Sequence, residues 1–117
     1  MTEANKDILT NTYQFFNERN IDAILALMDE HVHWPNGWEG GYVEGHEGVR
    51  EYWTRQWKEL DPHVEPVGFT EIAGGCIEVA VRQVVKDLHG KLYFEGMVKH
   101  IYTIEKGLIQ SMEIQNG

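Results

Sequence analysis

His100 is the residue of this sequence with the clearest capacity for acid–base chemistry. A three-residue turn over residues 105–107, with glycine in the left-handed position, places Lys99 opposite Glu113 and His100 opposite Met112. The charged pair then shares one face of the hairpin and leaves the other apolar, the arrangement that a half-buried sheet favours. That apolar face comprises Val98, His100, Tyr102, Met112 and Ile114. An imidazole in such surroundings, beside a carboxylate, can titrate near neutral pH.

Glu78 is the candidate acidic partner of His100. If residues 88–90 also form a three-residue turn, Glu78 lies opposite His100, and Arg82 shares their face of the sheet. A two-residue turn at positions 89 and 90 instead shifts the register by one residue and reverses the faces. The inward row is then Ile77, Val79 and Val81. The sequence leaves both registers open.

Four tryptophans are candidates for a ligand-binding wall. Trp53 and Trp57 lie four residues apart on one face of a predicted helix, a spacing that core residues also show. Trp34 and Trp38 flank a Pro-Asn-Gly turn, where they can form the mouth of a pocket. Indole offers a large rigid apolar surface and one N–H donor, which suits a hydrophobic small molecule.

His31 and His33 are a candidate metal-binding pair, because alternate strand residues share a face. The alternative needs no metal: one imidazole points outward and the other packs near Trp34. The second half of a cupin-type motif is missing from the sequence, and neither a metal nor an organic cofactor is expected.

The composition predicts a single globular domain over residues 1–117. Hydrophobic residues make up 42% and charged residues 25%, which is ordinary for a folded protein. The net charge of −9 disfavours binding to nucleic acid or to anionic membrane surfaces. The first residues lack the features of a signal peptide, and no apolar run reaches the roughly 18 residues of a membrane span. A cytoplasmic location is therefore expected.

The hydrophobic periodicity predicts an α+β domain. Apolar spacings of three and four predict helices over residues 3–19, 20–30 and 48–60, the last ended by Pro62. After Pro66 the period changes to two, and turn residues separate four predicted strands. These strands cover residues 67–73, 76–87, 91–105 and 108–115, and residues 31–34 form a short extended piece.

The order of these elements resembles the NTF2-like superfamily, in particular its SnoaL-like and ketosteroid-isomerase-like members. The matching segments are NIDAILALMDEHVHW, YVEGHEGVREYW and HIYTIEKGLIQSMEI, and the resemblance covers nearly the whole chain. It implies a cystatin-like cone in which three helices pack on a curved antiparallel four-stranded sheet with a short extra strand. The open end of such a cone holds an apolar cavity.

The resemblance also suggests roles for three residues. Alignment with the ketosteroid isomerases places His100 at their protonated aspartic acid, Trp34 at their carboxylate base and Tyr13 near their helical tyrosine. Steroid isomerisation by the family mechanism is not expected, because indole cannot abstract a proton.

The first functional hypothesis is a cofactor-free isomerase, cyclase or hydrolase acting on a hydrophobic carbonyl compound. In it, His100 transfers a proton under the influence of Glu78, and Tyr13 donates a hydrogen bond. The residues expected to bind the ligand are Trp34, Trp38, Trp53, Trp57, Arg82, Val98, Tyr102 and Met112. In the competing interpretation, His100 is a core histidine bonded to Tyr13 or Tyr102.

The second hypothesis is a non-catalytic ligand-binding or dimerisation module. A homodimer through the sheet would bury apolar residues of its outer face against a second copy. Two sets of residues are candidates for that surface, either Met97 with Ile101 or the row Ile77, Val79 and Val81.

Overall fold

Helices and strands of an α+β fold account for most of the chain. The structure, a computed structural model, describes residues 2–116. The helices are α1 (Glu3–Asn17), α2 (Ile21–Leu25) and α3 (Gly45–Gln56). The strands are β1 (Met28–Pro35), β2 (Tyr42–Glu44), β3 (Leu60–Glu71), β4 (Ile77–Asp87), β5 (Leu92–Glu105) and β6 (Leu108–Asn116). No helix within residues 2–116 is both long and apolar enough to cross a membrane.

The strands form one mixed sheet in the order β2-β1-β6-β5-β4-β3. β1 runs parallel to β6, and every other neighbouring pair of the described strands is antiparallel. α1 packs against β3 and α3 packs against β1, so the helices cover one face of the sheet. The predicted α+β fold of three helices on a sheet is confirmed, although the sheet has six strands.

Two strands begin well before the positions predicted for them. β1 begins at Met28, within the segment predicted as the second helix, and β3 begins at Leu60, the last residue predicted for the third helix. β3 contains both Pro62 and Pro66. It is an edge strand, and a proline without an N–H is tolerated there because one side of the strand needs no donor.

The β5–β6 hairpin has a shorter turn than predicted. Lys106 and Gly107 form a two-residue turn with φ of 54° and 77°, the left-handed geometry that matches the twist of the strands. A bulge next to Thr103 then shifts the register again, so that His100 lies opposite Ile114 instead of Met112. The two shifts together move the register by two residues, which keeps each side chain on the same face of the strand. His100 therefore stays on the predicted face.

The β4–β5 register corrects the proposed pairing of Glu78 with His100. The backbone N–H of Asp87 donates to the Lys91 carbonyl oxygen at 2.9 Å, so residues 88–90 form the three-residue turn. A bulge at Tyr93 follows and shifts the register by one residue. Glu78 consequently lies opposite Ile101.

The same shift turns Arg82 to the outer face, opposite Met97. The inner row is Ile77, Val79 and Val81, which are 2%, 0% and 0% exposed. This register is the favourable one, because it buries three aliphatic side chains where the other would bury a carboxylate and a guanidinium.

Candidate functional site

A cavity of about 450 Å³ lies between the inner face of the sheet and helices α1 and α3. Its apolar walls include Phe16, Trp34, Trp38, Trp53, Val98 and Met112. No Asp, Glu, Lys or Arg of residues 2–116 lines it. Its polar groups therefore act by hydrogen bonding in weakly polar surroundings.

Three buried polar side chains meet in this cavity. Tyr102 on β5 donates a hydrogen bond from its hydroxyl to the Tyr13 oxygen at 2.8 Å, and the Tyr13 oxygen lies 2.8 Å from Nδ1 of His100. Tyr13 belongs to the buried stripe of α1, while His100 and Tyr102 are alternate residues of β5 and so share its inner face. Helix periodicity and strand periodicity together bring these distant residues into contact.

The direction of this hydrogen-bond chain assigns the His100 tautomer. Tyr13 accepts from Tyr102, and we infer that it donates its own hydroxyl hydrogen to Nδ1 of His100, the acceptor 2.8 Å away. Burial lowers the pKa of His100 from 6.5 to about 4, so the ring is neutral at pH 7. Its hydrogen is then on Nε2.

Nε2 of His100 is available to a ligand. It forms no hydrogen bond with any residue that the structure describes, and His100 lines the cavity. The one enclosed side-chain polar atom without a partner in residues 2–116 is Nε1 of Trp57, so Nε2 is not sealed inside the protein. The hydrogen-bond chain thus ends on an N–H donor that opens onto the cavity.

The two tyrosines that are hydrogen-bonded in series with His100, Tyr13 and Tyr102, remain protonated at neutral pH. Burial raises the pKa of Tyr13 well above its ordinary value, and the neighbouring Tyr102 adds to that effect. Burial likewise raises the pKa of Tyr102. Ionising any of the three groups is unfavourable, and the chain is suited to donating hydrogen bonds.

Three residues predicted for the site lie outside the cavity. Glu78 is on the outer face of β4, and Arg82 is exposed there in an ion pair with Glu95. Trp57 follows the last turn of α3 and stacks on Trp53 with 5.7 Å between ring centroids. The prediction that Glu78 faces His100 is wrong. The assignment of Arg82 and Trp57 to the cavity wall is also wrong.

The two histidines of β1 point away from the cavity. Val32 and Trp34 are the buried residues of this strand, and His31 and His33 alternate with them on the outer face. His33 bonds to the Glu44 carboxylate through Nδ1 and stacks on the ring of Tyr42. Within residues 2–116 no group of three or more potential metal ligands occurs.

Several cavity residues were not foreseen from the sequence, among them Gln83, Tyr93 and Phe94. Phe94 has the same strand parity as His100, so alternation alone could have indicated it. Gln83 continues the row Ile77, Val79 and Val81, so it faces the cavity in the one of the two open registers that the bulge at Tyr93 selects.

Comparison with known proteins identifies similar chains. The profile of the SnoaL-like domain matches residues 9–112. TerC, in a crystal structure with polyporic acid, superposes with a TM-score of 0.84 and 26% identity, over 98% of this chain and 92% of TerC. An NTF2-like protein of unknown function from Burkholderia pseudomallei K96243 also gives 0.84, at 20% identity, over 99% of this chain and 92% of that protein.

A curated relative is much longer than this chain. It is a GPI inositol-deacylase from Chaetomium globosum, 24% identical over 99 residues. The match covers 75% of the present chain and 8% of that protein. This similarity is therefore confined to a small part of the deacylase.

Proposed function

Because the chain belongs to the SnoaL-like domain family of the NTF2-like superfamily, we propose that its cavity binds a hydrophobic small molecule carrying a carbonyl group. Proteins of this kind include ligand-binding proteins, isomerases and cyclases. The cavity volume of about 450 Å³ lies in the range of roughly 300–1,000 Å³ typical of small-molecule pockets.

The observation that carries this proposal is the series of hydrogen bonds from Tyr102 through Tyr13 to His100. It leaves Nε2–H as a donor in a cavity that no charged side chain of residues 2–116 lines. A carbonyl oxygen accepts from such a donor. In a water-poor site, a positioned donor also stabilises the negative charge that develops on the oxygen during enolisation or ring closure. A neutral imidazole can polarise a carbonyl in this way.

His100 acts in this proposal as a hydrogen-bond donor and not as a general base. Its Nδ1 lone pair accepts from Tyr13, its pKa is about 4, and Glu78 is on the other face of the sheet. An isomerisation or cyclisation in this cavity would therefore depend on carbonyl activation.

We expect the His100→Asn variant to bind para-acetylbiphenyl about tenfold more weakly than the wild-type protein does. The asparagine oxygen can still accept from Tyr13, but the donor at Nε2 is lost, and one hydrogen bond in a buried site accounts for about this factor. Titration calorimetry measures the dissociation constants.

Two controls accompany this experiment. Glu78→Gln alters a residue on the outer face of the sheet and is expected to leave the affinity unchanged. Ethylbiphenyl lacks the carbonyl oxygen and is expected to bind the wild type and His100→Asn equally. Equal affinity of both proteins for acetylbiphenyl would contradict the proposal.

We also propose that two copies associate through the outer face of the sheet. Met97 is 46% exposed on that face and Ile101 is half-buried on it, whereas the row Ile77, Val79 and Val81 is inside the core and cannot form the interface. Sedimentation equilibrium is expected to show a dimer for the wild type and a monomer for Met97→Glu. A monomeric wild type at micromolar concentration would contradict the dimer.

A further inference from the structure

We infer that Gln83 is a second polar anchor of the cavity, and that the ligand is a neutral, elongated molecule with a carbonyl at one end and a hydroxyl or carbonyl at the other. This inference rests on the proposed function, because the first anchor is the Nε2–H of His100. It specifies the length of the ligand, its charge and the polar group at the end that contacts Gln83.

The register of β4 and β5 sets the distance between the two anchors. His100 lies opposite Val79, and Gln83 is four residues further along β4, opposite Gly96. Four residues of extended strand span roughly 13 Å. Val98 lies between the two anchors on the inner face of β5, so the intervening cavity wall is apolar.

The amide of Gln83 is free to contact a ligand. Gln83 is half-buried, lines the cavity, and forms no side-chain hydrogen bond within residues 2–116. Two other polar residues of the lining form hydrogen bonds within the protein: the Thr12 hydroxyl donates to the Ile8 carbonyl oxygen at 2.8 Å, and Gln56 donates to the Tyr52 hydroxyl at 3.3 Å. An amide both donates and accepts, so it can bind a hydroxyl or a carbonyl.

Gly96, opposite Gln83, leaves room for the ring of Phe94. A Cβ atom at Gly96 would lie 3.1 Å from Cζ of Phe94, so the absence of a side chain lets the Phe94 ring lie across this part of β5. Phe94 is 45% exposed and Tyr93 71% exposed, and both line the cavity at its mouth. The long axis of a ligand would therefore run along β5, from His100 towards this aromatic rim.

The composition of the walls favours a neutral ligand. No Asp, Glu, Lys or Arg lines the cavity within the described part of the chain, so an ionised group would lose hydration without gaining a counter-charge. The chain also carries a net charge of −9, which repels anions approaching from solution. A carboxylate or phosphate ester is accordingly disfavoured.

The test compares two rigid probes that differ in one hydroxyl. Para-acetylbiphenyl carries the ketone alone, and its derivative carries an additional hydroxyl at the para position of the other ring. Calorimetry on the wild type is expected to show about fivefold tighter binding of the hydroxylated probe, the contribution of one added hydrogen bond. In Gln83→Leu the two probes are expected to bind equally, because leucine fills a similar volume without a polar group.

The control variant is Gln115→Leu, the same substitution at an exposed site opposite Lys99 on the outer face, which is expected to keep the fivefold preference. A wild type that binds both probes equally, or a preference that persists in Gln83→Leu, would overturn the role of Gln83. If both probes weaken in His100→Asn but Gln83→Leu changes nothing, the proposed function stands and this inference fails. If neither probe binds the wild type, both are wrong.

Discussion

Lowering the pH from 7 to 4 is expected to reduce the free energy of unfolding of the wild-type protein by about 3 kcal/mol more than that of the His100→Asn variant. The pKa of His100 is about 4 in the folded protein, against 6.5 for an unperturbed histidine, because burial disfavours the charged ring. The unfolded chain therefore takes up the proton first, and stability falls as the pH drops through 6.5 towards 4. The difference in pKa corresponds to about 3 kcal/mol.

Urea unfolding at both pH values measures this difference. Asparagine does not titrate, and its oxygen can accept the hydrogen bond of Tyr13, so the variant removes the proton linkage without leaving that hydroxyl unpartnered. His31→Asn is the matched control, because the side chain of His31 is 86% exposed. Parallel pH profiles for the wild type and His100→Asn would show that His100 is not buried in a neutral form.

Replacing Trp53 by alanine is expected to lower the free energy of unfolding by about 3–5 kcal/mol, the usual cost of removing a large buried aromatic side chain. Trp53 is 2% exposed and contacts three other rings. Its ring meets Phe16 and Trp34 edge-on, at centroid distances of 5.4 and 5.6 Å, and it stacks on Trp57. Since a small domain has about 5–15 kcal/mol in total, this variant should be close to unfolding.

The comparison for Trp53 is Trp38→Ala. Trp38 is only partly buried, and the Arg55 guanidinium lies 5.8 Å from the centroid of its ring. Removing its side chain is therefore expected to lower the free energy of unfolding by less than half as much. Trp53→Phe retains an aromatic ring and supplies a folded variant for chemical unfolding if the alanine variant does not fold. Equal losses for Trp53→Ala and Trp38→Ala would contradict the assignment of Trp53 to the core.

Where the sequence prediction failed, contacts distant along the chain outweighed local signals. The third helix was predicted to continue to Leu60, since Trp53, Trp57 and Leu60 share a helical spacing. In the folded chain Leu60 starts the edge strand β3 and pairs with Asp87 on β4. That pairing partner is 27 positions away, and a local pattern cannot report it.

The sequence by itself determined which face of β5 holds His100 and which side of α1 holds Tyr13. Strand alternation has a period of two, so an error of two residues in the β5–β6 register left His100 on the inner face. Helical spacing likewise turned Tyr13 towards the core. Periodicity also identified the α+β fold class, because it does not depend on the partners of each strand.

Only the tertiary structure decided that Gln83, and not Glu78, lies on the face with His100. One additional residue at the Tyr93 bulge reverses every side chain of β4 relative to β5, and the position of a bulge depends on packing between strands. The tertiary structure likewise set the proton chemistry. Tyr13 and His100 are 87 positions apart, and the low pKa of His100 comes from the burial that their packing produces.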